Sequence, residues 1–284
     1  MKVQIINGFK TILSDLGRLL LIESDKLQKY IDYAKDNGIN RIAMNRFDGY
    51  HLDNVDFLKE NNFFTGVTIG DEDINIAAVH YLKNLTYLSV IPGKQPVDFT
   101  KFPCLTECSI DWNNKISGLD LANSLKRLTI WKFKPKSKDL ADLSGCKHLE
   151  YLHITESNIE SWTGIEELKS LEYLKAYYLR KIDNLNGLDT LPHFKVLELG
   201  KCPNLKNYES DLKRLKHLEK IILSDSGDLL SLKFIKSHPK LKFISFVGTN
   251  VIDGDMTPTL ELEYAGYDNK KHYSHKMKPL TRKV

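Results

Sequence analysis

Aromatic and charged side chains recur together between residues 87 and 178. Rings beside an arginine, with charges of both signs, are the composition of protein-binding hot spots. This composition favours recognition of another surface. The candidate partner-binding residues are Tyr87, Glu107, Asp111, Trp112, Arg127, Trp131, Lys132, Tyr151, His153, Tyr173, Lys175, Tyr177 and Tyr178.

The remaining candidates for chemistry are histidines, and each has a simpler explanation. His272 and His275 stand three residues apart, but no carboxylate or thiol accompanies them at a metal-binding spacing. For His153 we expect a polar contact with a partner rather than general-base catalysis. The chain contains no nucleophile elbow, phosphate-binding loop or helical His-Glu-x-x-His. We therefore predict no enzymatic activity, no catalytic residue, no metal and no cofactor.

A hydrophobic repeat positions the candidate residues. In Leu149–Ile154, apolar residues occupy the first, fourth and sixth positions, and variants of this pattern follow at steps of 20 to 25 residues. Self-similarity at that period predicts a solenoid, in which each unit buries its apolar side against its neighbours. The ten copies begin at Ile39, Phe64, Leu85, Leu105, Leu125, Leu149, Leu171, Phe194, Leu218 and Leu241.

Strand alternation separates the core positions from the candidate positions. Positions one, four and six point inward, whereas positions three and five point to the opposite face and positions seven and eight continue along its rim. In a parallel, in-register sheet each position forms a column across the strands. The candidate residues fall in the third to seventh copies, and five strands at ~4.8 Å spacing carry them across roughly 20 Å.

The repeat resembles that of leucine-rich repeat proteins over residues 39 to 252. The family pattern is Leu-x-x-Leu-x-Leu-x-x-Asn/Cys-x-Leu, and Asn113 and Cys202 hold its ninth position in two copies. Ser157, Ser226 and Thr249 stand there in three others, where they can hydrogen-bond the turning backbone. Copies with Phe47, Glu72, Gly93, Phe133 and Leu179 at that position should have irregular turns.

The resemblance implies an α/β leucine-rich repeat solenoid of about ten repeats of 20–25 residues with terminal caps. A curved parallel sheet would line its concave face and short α- or 3₁₀-helices its convex face. The concave face is open in this family, so its aromatic residues need an explanation. One is partner binding, which we favour because exposed apolar patches with polar rims usually mark interaction sites. The other is that the rings stack and shield the sheet.

The segments outside the repeat should be caps. Residues 1–38 predict an N-terminal cap, with a strand at Leu19–Glu23 and a helix that begins after Ser24. Residues 39–252 form the repeat domain, in which His51–Glu60 predicts a short amphipathic helix and later copies predict one or two helical turns. Residues 253–284 predict a C-terminal cap, with tyrosines folded over the last strand, and a basic tail.

Composition sets limits on location and partners. Charged residues make up 27% of the 284 residues but the formal net charge is only +4, so no global field demands a nucleic acid or membrane partner. No apolar stretch is long enough to span a bilayer, and the first residues lack a signal-peptide core. The four cysteines form no Cys-x-x-Cys pair, and Cys108 holds an inward position. We expect a cytoplasmic monomer with structural thiols.

Two function classes follow. The first is an interaction scaffold that binds a partner protein on the concave face, such as an adaptor, an inhibitor or an immunity-type protein. The second is nucleic-acid binding, with the rings as stacking platforms. The groups on phosphates would be Arg41, Arg127, Lys132, Lys175 and the basic tail. Because Glu107 and Asp111 share that face, its mixed charge favours protein over nucleic acid.

Overall fold

A computed structural model describes residues 2–14 and 17–277, which form parts of two compact units, Met1–Trp131 and Lys132–Val284. In the first unit the helix is α1 (Leu27–Asp36), and 3₁₀-helices span Ser24–Lys26, Asp56–Lys59, Ala77–Tyr81, Phe99–Lys101 and Leu119–Leu121. Its strands are β1 (Val3–Ile6), β2 (Phe9–Ser14), β3 (Gly17–Leu21), β4 (Arg41–Met44), β5 (Gly66–Ile69), β6 (Tyr87–Val90), β7 (Val97–Asp98), β8 (Glu107–Asp111), β9 (Ile116–Ser117) and β10 (Arg127–Trp131). The order in the main sheet is β1-β2-β3-β4-β5-β6-β8-β10, and β7 pairs with β9.

The second unit has the same plan. Its helix is α2 (Glu209–Arg214), and 3₁₀-helices span Ala141–Leu143, Ile165–Glu167, Leu188–Thr190, Lys233–Ser237 and Thr257–Thr259. Its strands, hydrogen-bonded in chain order, are β11 (Tyr151–Thr155), β12 (Tyr173–Tyr177), β13 (Val196–Gly200), β14 (Lys220–Ser224), β15 (Phe243–Ser245) and β16 (Tyr264–Gly266).

The strands confirm the repeat and its register. Each copy contributes a strand that begins at its third residue, from Arg41 to Phe243. Pairing is parallel and joins equal positions, so that Tyr173 stands opposite Tyr151 on one side and Val196 on the other. Leu149, the first position of its copy, is fully buried. The core therefore lies where the apolar pattern predicts it.

The first residues contain more structure than predicted. In addition to β3 and α1, they form an antiparallel hairpin of β1 and β2. Asn7 and Gly8 between them have φ values of 53° and 85°, as a tight hairpin turn requires. The Phe9 ring then stacks on Tyr33 of α1 at 4.1 Å between centroids. Ser24 does not cap the helix; its hydroxyl accepts from the His51 backbone N–H instead.

The helix predicted at His51–Glu60 is wrong, because only Asp56–Lys59 coils, and as a 3₁₀-helix. Asn54, two residues before it, forms an isolated parallel bridge with Asn75 of the next copy. The buried residues Val55 and Leu58 stand three positions apart, which suits three residues per turn. The shorter helical turns predicted for later copies are confirmed.

The last copy is followed by a strand that the sequence did not predict. Strand β16 pairs parallel with β15. Tyr264 stacks on Phe243 at 4.3 Å and Tyr267 on Phe246 at 5.1 Å. These two tyrosines lie against the final copy, as expected. Residues 278–284 of the basic tail lie outside the described residues.

The polar ninth position makes the predicted hydrogen bonds. The Ser157 hydroxyl donates to the Phe133 carbonyl at 2.5 Å. Ser226 receives its bond from the Cys202 N–H at 3.4 Å, and its own N–H donates to Oγ1 of Thr249 at 3.0 Å. Consecutive turns are thus tied together by side chains that replace water for buried backbone groups.

Thr249→Val should destabilise the protein although valine has almost the same shape. Thr249 is 2% exposed, so its loss leaves the Ser226 N–H buried without an acceptor, at about 1–3 kcal/mol in the free energy of unfolding. Urea unfolding measures this. Thr249→Ser keeps the hydroxyl and should cost less; unchanged stability in Thr249→Val would contradict the role given to this hydrogen bond.

The eighth position of five consecutive copies has a left-handed backbone. Its φ lies between 47° and 58° in Lys132, Glu156, Tyr178, Lys201 and Asp225. There the N–H turns to donate to the carbonyl at position seven of the next strand, as from Glu156 to Tyr177 at 3.0 Å. Non-glycine residues adopt this region at a cost in free energy. Because the five residues are of different types, the packing of the repeats determines the left-handed backbone and the side chain does not.

Replacement of Glu156 by glycine should therefore leave stability unchanged or raise it, by up to about 1 kcal/mol, because glycine relieves the left-handed strain. The matched change Glu219→Gly, at an exposed residue with ordinary φ, should lower it by about 0.5–1 kcal/mol. Thermal and urea unfolding of both variants make the comparison. A loss in Glu156→Gly as large as in Glu219→Gly would contradict this account.

Candidate functional site

The candidate residues of the first unit form two columns. Tyr87, Glu107 and Arg127 are register partners at position three, with Tyr87 and Glu107 part-buried and Arg127 exposed. The Arg41 guanidinium lies 4.7 Å from the centroid of the Tyr87 ring. Its stem passes over Gly66, where a Cβ would lie 2.8 Å from Arg41 Cγ. The small residue on β5 thus lets the arginine reach the ring.

Two tryptophans lie at the end of the second column of this unit. Trp131 belongs to the column, at position seven, and Trp112 stands beside it, at position eight. Trp131 is the register partner of Asp111 at position seven. The backbone N–H of Trp112 donates to the Trp131 carbonyl at 2.7 Å, so the two tryptophans stand at the ends of adjoining strands. Both are half-buried. Two large rings with a carboxylate beside them can contact a partner with both apolar and polar groups.

In the second unit, a hydrogen-bonded cluster centres on Glu198. This carboxylate is 7% exposed and accepts from the Tyr173 hydroxyl at 2.6 Å and the Tyr177 hydroxyl at 2.5 Å. Lys175 Nζ lies 3.2 Å from its Oε1. Three donors from β12 therefore satisfy one acid on β13. We call Tyr173, Lys175, Tyr177 and Glu198 the Glu198 cluster.

Neighbouring rings pack around this cluster. The Tyr151 ring meets Tyr173 edge-on at 4.9 Å, and the Lys175 ammonium lies 5.1 Å from the Tyr177 centroid. His153 Nε2 is 3.0 Å from the Thr155 hydroxyl. Gly200 makes room, because a Cβ there would lie 2.3 Å from Tyr177 Cε1. The side chains are part-buried and held in one arrangement.

The electrostatics of the cluster favour one ionised carboxylate among neutral rings. Burial acts to raise the pKa of Glu198, but the hydrogen bonds from Tyr173, Tyr177 and Lys175 together hold it below its ordinary value. Burial, and then the bond to Glu198, raises the pKa of each tyrosine well above its ordinary range. Burial and the charge of Lys175 lower the pKa of His153, which is therefore neutral at pH 7.

The structure distributes the sequence candidates unequally. It brings Tyr151, His153, Tyr173, Lys175 and Tyr177 together in the second unit. Tyr178 and Lys132 are exposed at the left-handed eighth position.

Glu198 is the residue that sequence reasoning missed as a site residue. One sequence signal was available. Glu198 stands at position five of its copy and Lys175 stands at position five of the preceding copy, and opposite charges at equal positions of adjacent strands pair across a sheet.

The histidine pair near the end is engaged elsewhere. His272 Nε2 is 3.0 Å from the Val251 carbonyl, and His275 Nδ1 is 2.9 Å from the Ser274 hydroxyl. Among residues 2–14 and 17–277, no group of three or more His, Cys, Asp or Glu side chains is arranged to hold a metal ion. The same residues include no helix with the length and apolarity to cross a bilayer.

Known proteins share this strand-and-turn repeat. An internalin (InlF) from Listeria monocytogenes superposes with a TM-score of 0.64 at 16% identity, over 82% of this chain and 68% of the internalin. The chain has a leucine-rich repeat fold. The leucine-rich repeat domain of the type III effector XopL superposes over 67% of this chain and 80% of that domain at 16% identity, with a TM-score of 0.46.

In sequence, this leucine-rich repeat chain has a curated relative in the disease resistance protein RPP4 of Arabidopsis thaliana. The two are 24% identical in an alignment of 177 residues that covers 59% of this chain and only 14% of the length of RPP4. No family model matches the sequence. The likenesses therefore bear on the fold alone.

Glu198→Gln should destabilise the protein in a pH-dependent way. At neutral pH the amide cannot serve as anionic acceptor for two tyrosines and a lysine, so we expect a loss of about 2 kcal/mol in the free energy of unfolding. The folded pKa of Glu198 lies below its ordinary value of 4.5, so its contribution is present above that pH and is lost as pH falls through the folded pKa.

Urea unfolding of wild type and Glu198→Gln from pH 7 downward measures the gap between them. The gap should be widest near neutrality and close in acid. Glu172→Gln, at a half-exposed carboxylate paired with Lys195 at 2.8 Å, is the control and should change stability by less than about 1 kcal/mol. A constant gap across the pH range would contradict the role given to the Glu198 charge.

Proposed function

We infer that this protein is a non-enzymatic interaction module that binds a partner protein on the sheet face opposite its core. The Glu198 cluster and the Tyr151 ring carry this inference. They present part-exposed rings on the face of the strands that points away from the core. Tyrosines are effective binding residues because they offer large contact area with little rotamer entropy to lose.

The internal bonds of the cluster support binding over simple shielding. Shielding needs only stacked rings, whereas Tyr173 and Tyr177 are also fixed by a buried charge. Rings already held in place lose less freedom when a partner docks. The Glu198 cluster is thus a pre-organised surface for recognition.

The chemistry of the same groups supports binding over catalysis. Lys175 is ion-paired and the hydroxyls of Tyr173 and Tyr177 are held protonated, so none is a ready base or nucleophile at neutral pH. Burial raises the pKa of the Cys202 thiol to about 11, which keeps it uncharged. His153 is neutral, but its ring faces the Thr155 hydroxyl within its own strand.

The proposal extends to the type of interaction protein, its compartment and its oligomeric state. An adaptor, an inhibitor or an immunity-type protein each needs one recognition face and no chemistry. Buried thiols at Cys108, Cys146 and Cys202 suit a reducing compartment such as the cytoplasm. A monomer would leave the sheet face of each unit available to a partner. Mixed charge on that face, with Glu107 and Asp111 among the cations, speaks against nucleic acid.

Trp131→Ala and Tyr151→Ala, singly and together, test the binding face in affinity capture from a lysate of the source cells. We expect a protein captured by wild type to be lost with the double variant, because truncation of an aromatic residue at the centre of a hot spot costs about 2 kcal/mol or more. The single variants show whether the partner contacts one unit or both.

The control is Tyr81→Ala, which removes a tyrosine that is 57% exposed on a 3₁₀-helix away from the sheet face. It should capture the partner as wild type does, and all variants should still melt cooperatively. Capture of the same protein by the double variant with unaltered affinity would rule out this face.

A further inference from the structure

A cleft of about 620 Å³ opens in the second unit where the chain leaves successive repeat strands. Tyr178 directly follows β12 and Glu156 directly follows β11, and both line the cleft. Lys134, Arg180 and Lys181 bring three cations to its walls. The Tyr178 ring is 40% exposed, which leaves an apolar surface beside these charges.

Two of the cations are available to a ligand. Lys181 Nζ lies 2.6 Å from Glu160, which also pairs with Lys138 at 3.0 Å. By contrast, Lys134 and Arg180 are exposed and have no ion pair with any residue of the described ranges 2–14 and 17–277. The cleft therefore offers one ammonium and one guanidinium to an anion, and a guanidinium can hold a carboxylate through two parallel hydrogen bonds.

The walls of the cleft are fixed by hydrogen bonds. The backbone at Glu156 and Tyr178 is left-handed, and the Tyr178 N–H donates to the Gly200 carbonyl at 2.9 Å. The Asn158 N–H donates to the Phe133 carbonyl at 3.3 Å. The Arg180 carbonyl accepts from the Asn204 side chain at 2.5 Å. A ligand thus finds the cations on an ordered backbone and loses little free energy in organising it.

We propose that the cleft binds an acidic, extended polypeptide segment of the partner protein, with carboxylates at Lys134 and Arg180 and an apolar side chain against Tyr178. This assignment rests on the interaction function inferred above and names the chemistry of what is bound. Charge complementarity at such a rim speeds association and selects the partner.

The occupant is a polypeptide rather than a nucleic acid because of Glu156. A single-stranded nucleic acid carries a phosphate at every nucleotide and is bound in grooves of continuous positive charge. Its backbone would meet the Glu156 carboxylate in the wall of the cleft. A polypeptide can place its carboxylates at Lys134 and Arg180 and an uncharged residue near Glu156.

Fluorescence anisotropy tests the cleft with a labelled peptide in which Glu and Ser alternate around a central Tyr. The comparison probes are the same peptide with Gln for Glu, and a labelled single-stranded oligonucleotide of mixed sequence. Lys134→Glu with Arg180→Glu should weaken binding of the acidic peptide by about tenfold or more. Lys213→Glu with Lys216→Glu makes the same change of net charge at exposed positions in and after α2, and should leave binding within about twofold.

Each result decides the assignment. Loss confined to the cleft variant, with weak binding of the Gln peptide, supports it. Absence of acidic-peptide binding to wild type, equal loss in both charge variants, or tighter cleft-dependent binding of the oligonucleotide would overturn it. If the charge reversal impairs folding, as seen in circular dichroism, Lys134→Gln with Arg180→Gln takes its place and should weaken binding by about threefold or more.

The same variants separate this assignment from the function on which it rests. If a partner captured through Trp131 and Tyr151 binds the cleft variant with unaltered affinity, the module function stands and the cleft assignment falls. If no protein depends on Trp131 and Tyr151 but the acidic peptide still needs Lys134 and Arg180, the sheet-face function falls and the cleft stands.

Discussion

Parallel pairing of equal positions is the constraint on which the rest of the structure depends. Because β12 pairs with β13 without offset, whatever the copies place at one position becomes a column of neighbours. A slip of one residue would exchange the two faces of a strand and bring Tyr151 into the core in place of Leu152. The buried apolar columns therefore fix the register, and the register then decides which side chains on the other face can touch.

The core could be predicted from the sequence because the apolar positions of the repeat are the positions whose side chains point into the core. Leu149, Leu152 and Ile154 are apolar and fully buried. The left-handed backbone at the eighth position could not be predicted, because the residues there, such as Glu156 and Tyr178, are of different types and give no common sequence signal. It accompanies a hydrogen bond to the next strand, which pattern alone does not reveal. The hairpin of β1 and β2 lies outside the repeat, so comparison of the copies gives no information on it.

The aromatic residues of the candidate site could be predicted from the sequence, but the role of Glu198 could not. Its aromatic members were recognised by position, since the repeat alone determines which residues are column neighbours. Glu198 looked like an ordinary surface acid. Its burial comes from Tyr173 and Tyr177, which stand two residues before and after Lys175 and reach diagonally to the next strand. A comparison of equal positions in neighbouring copies can reveal Lys175 as the neighbour of Glu198, but it gives no information on the two diagonal donors.

Shielding and binding are often treated as alternatives for rings on a sheet, but the geometry of the Glu198 cluster is compatible with both. The bonds that cover the sheet also fix the Tyr173 and Tyr177 rings, and a fixed ring costs less entropy to bind. Charges at strand ends act differently. Lys134 and Arg180 are exposed, and in the proposed cleft they would speed the association of an acidic segment and select for it. A partner of this module would be held by rings on the sheet and selected by cations at its edge.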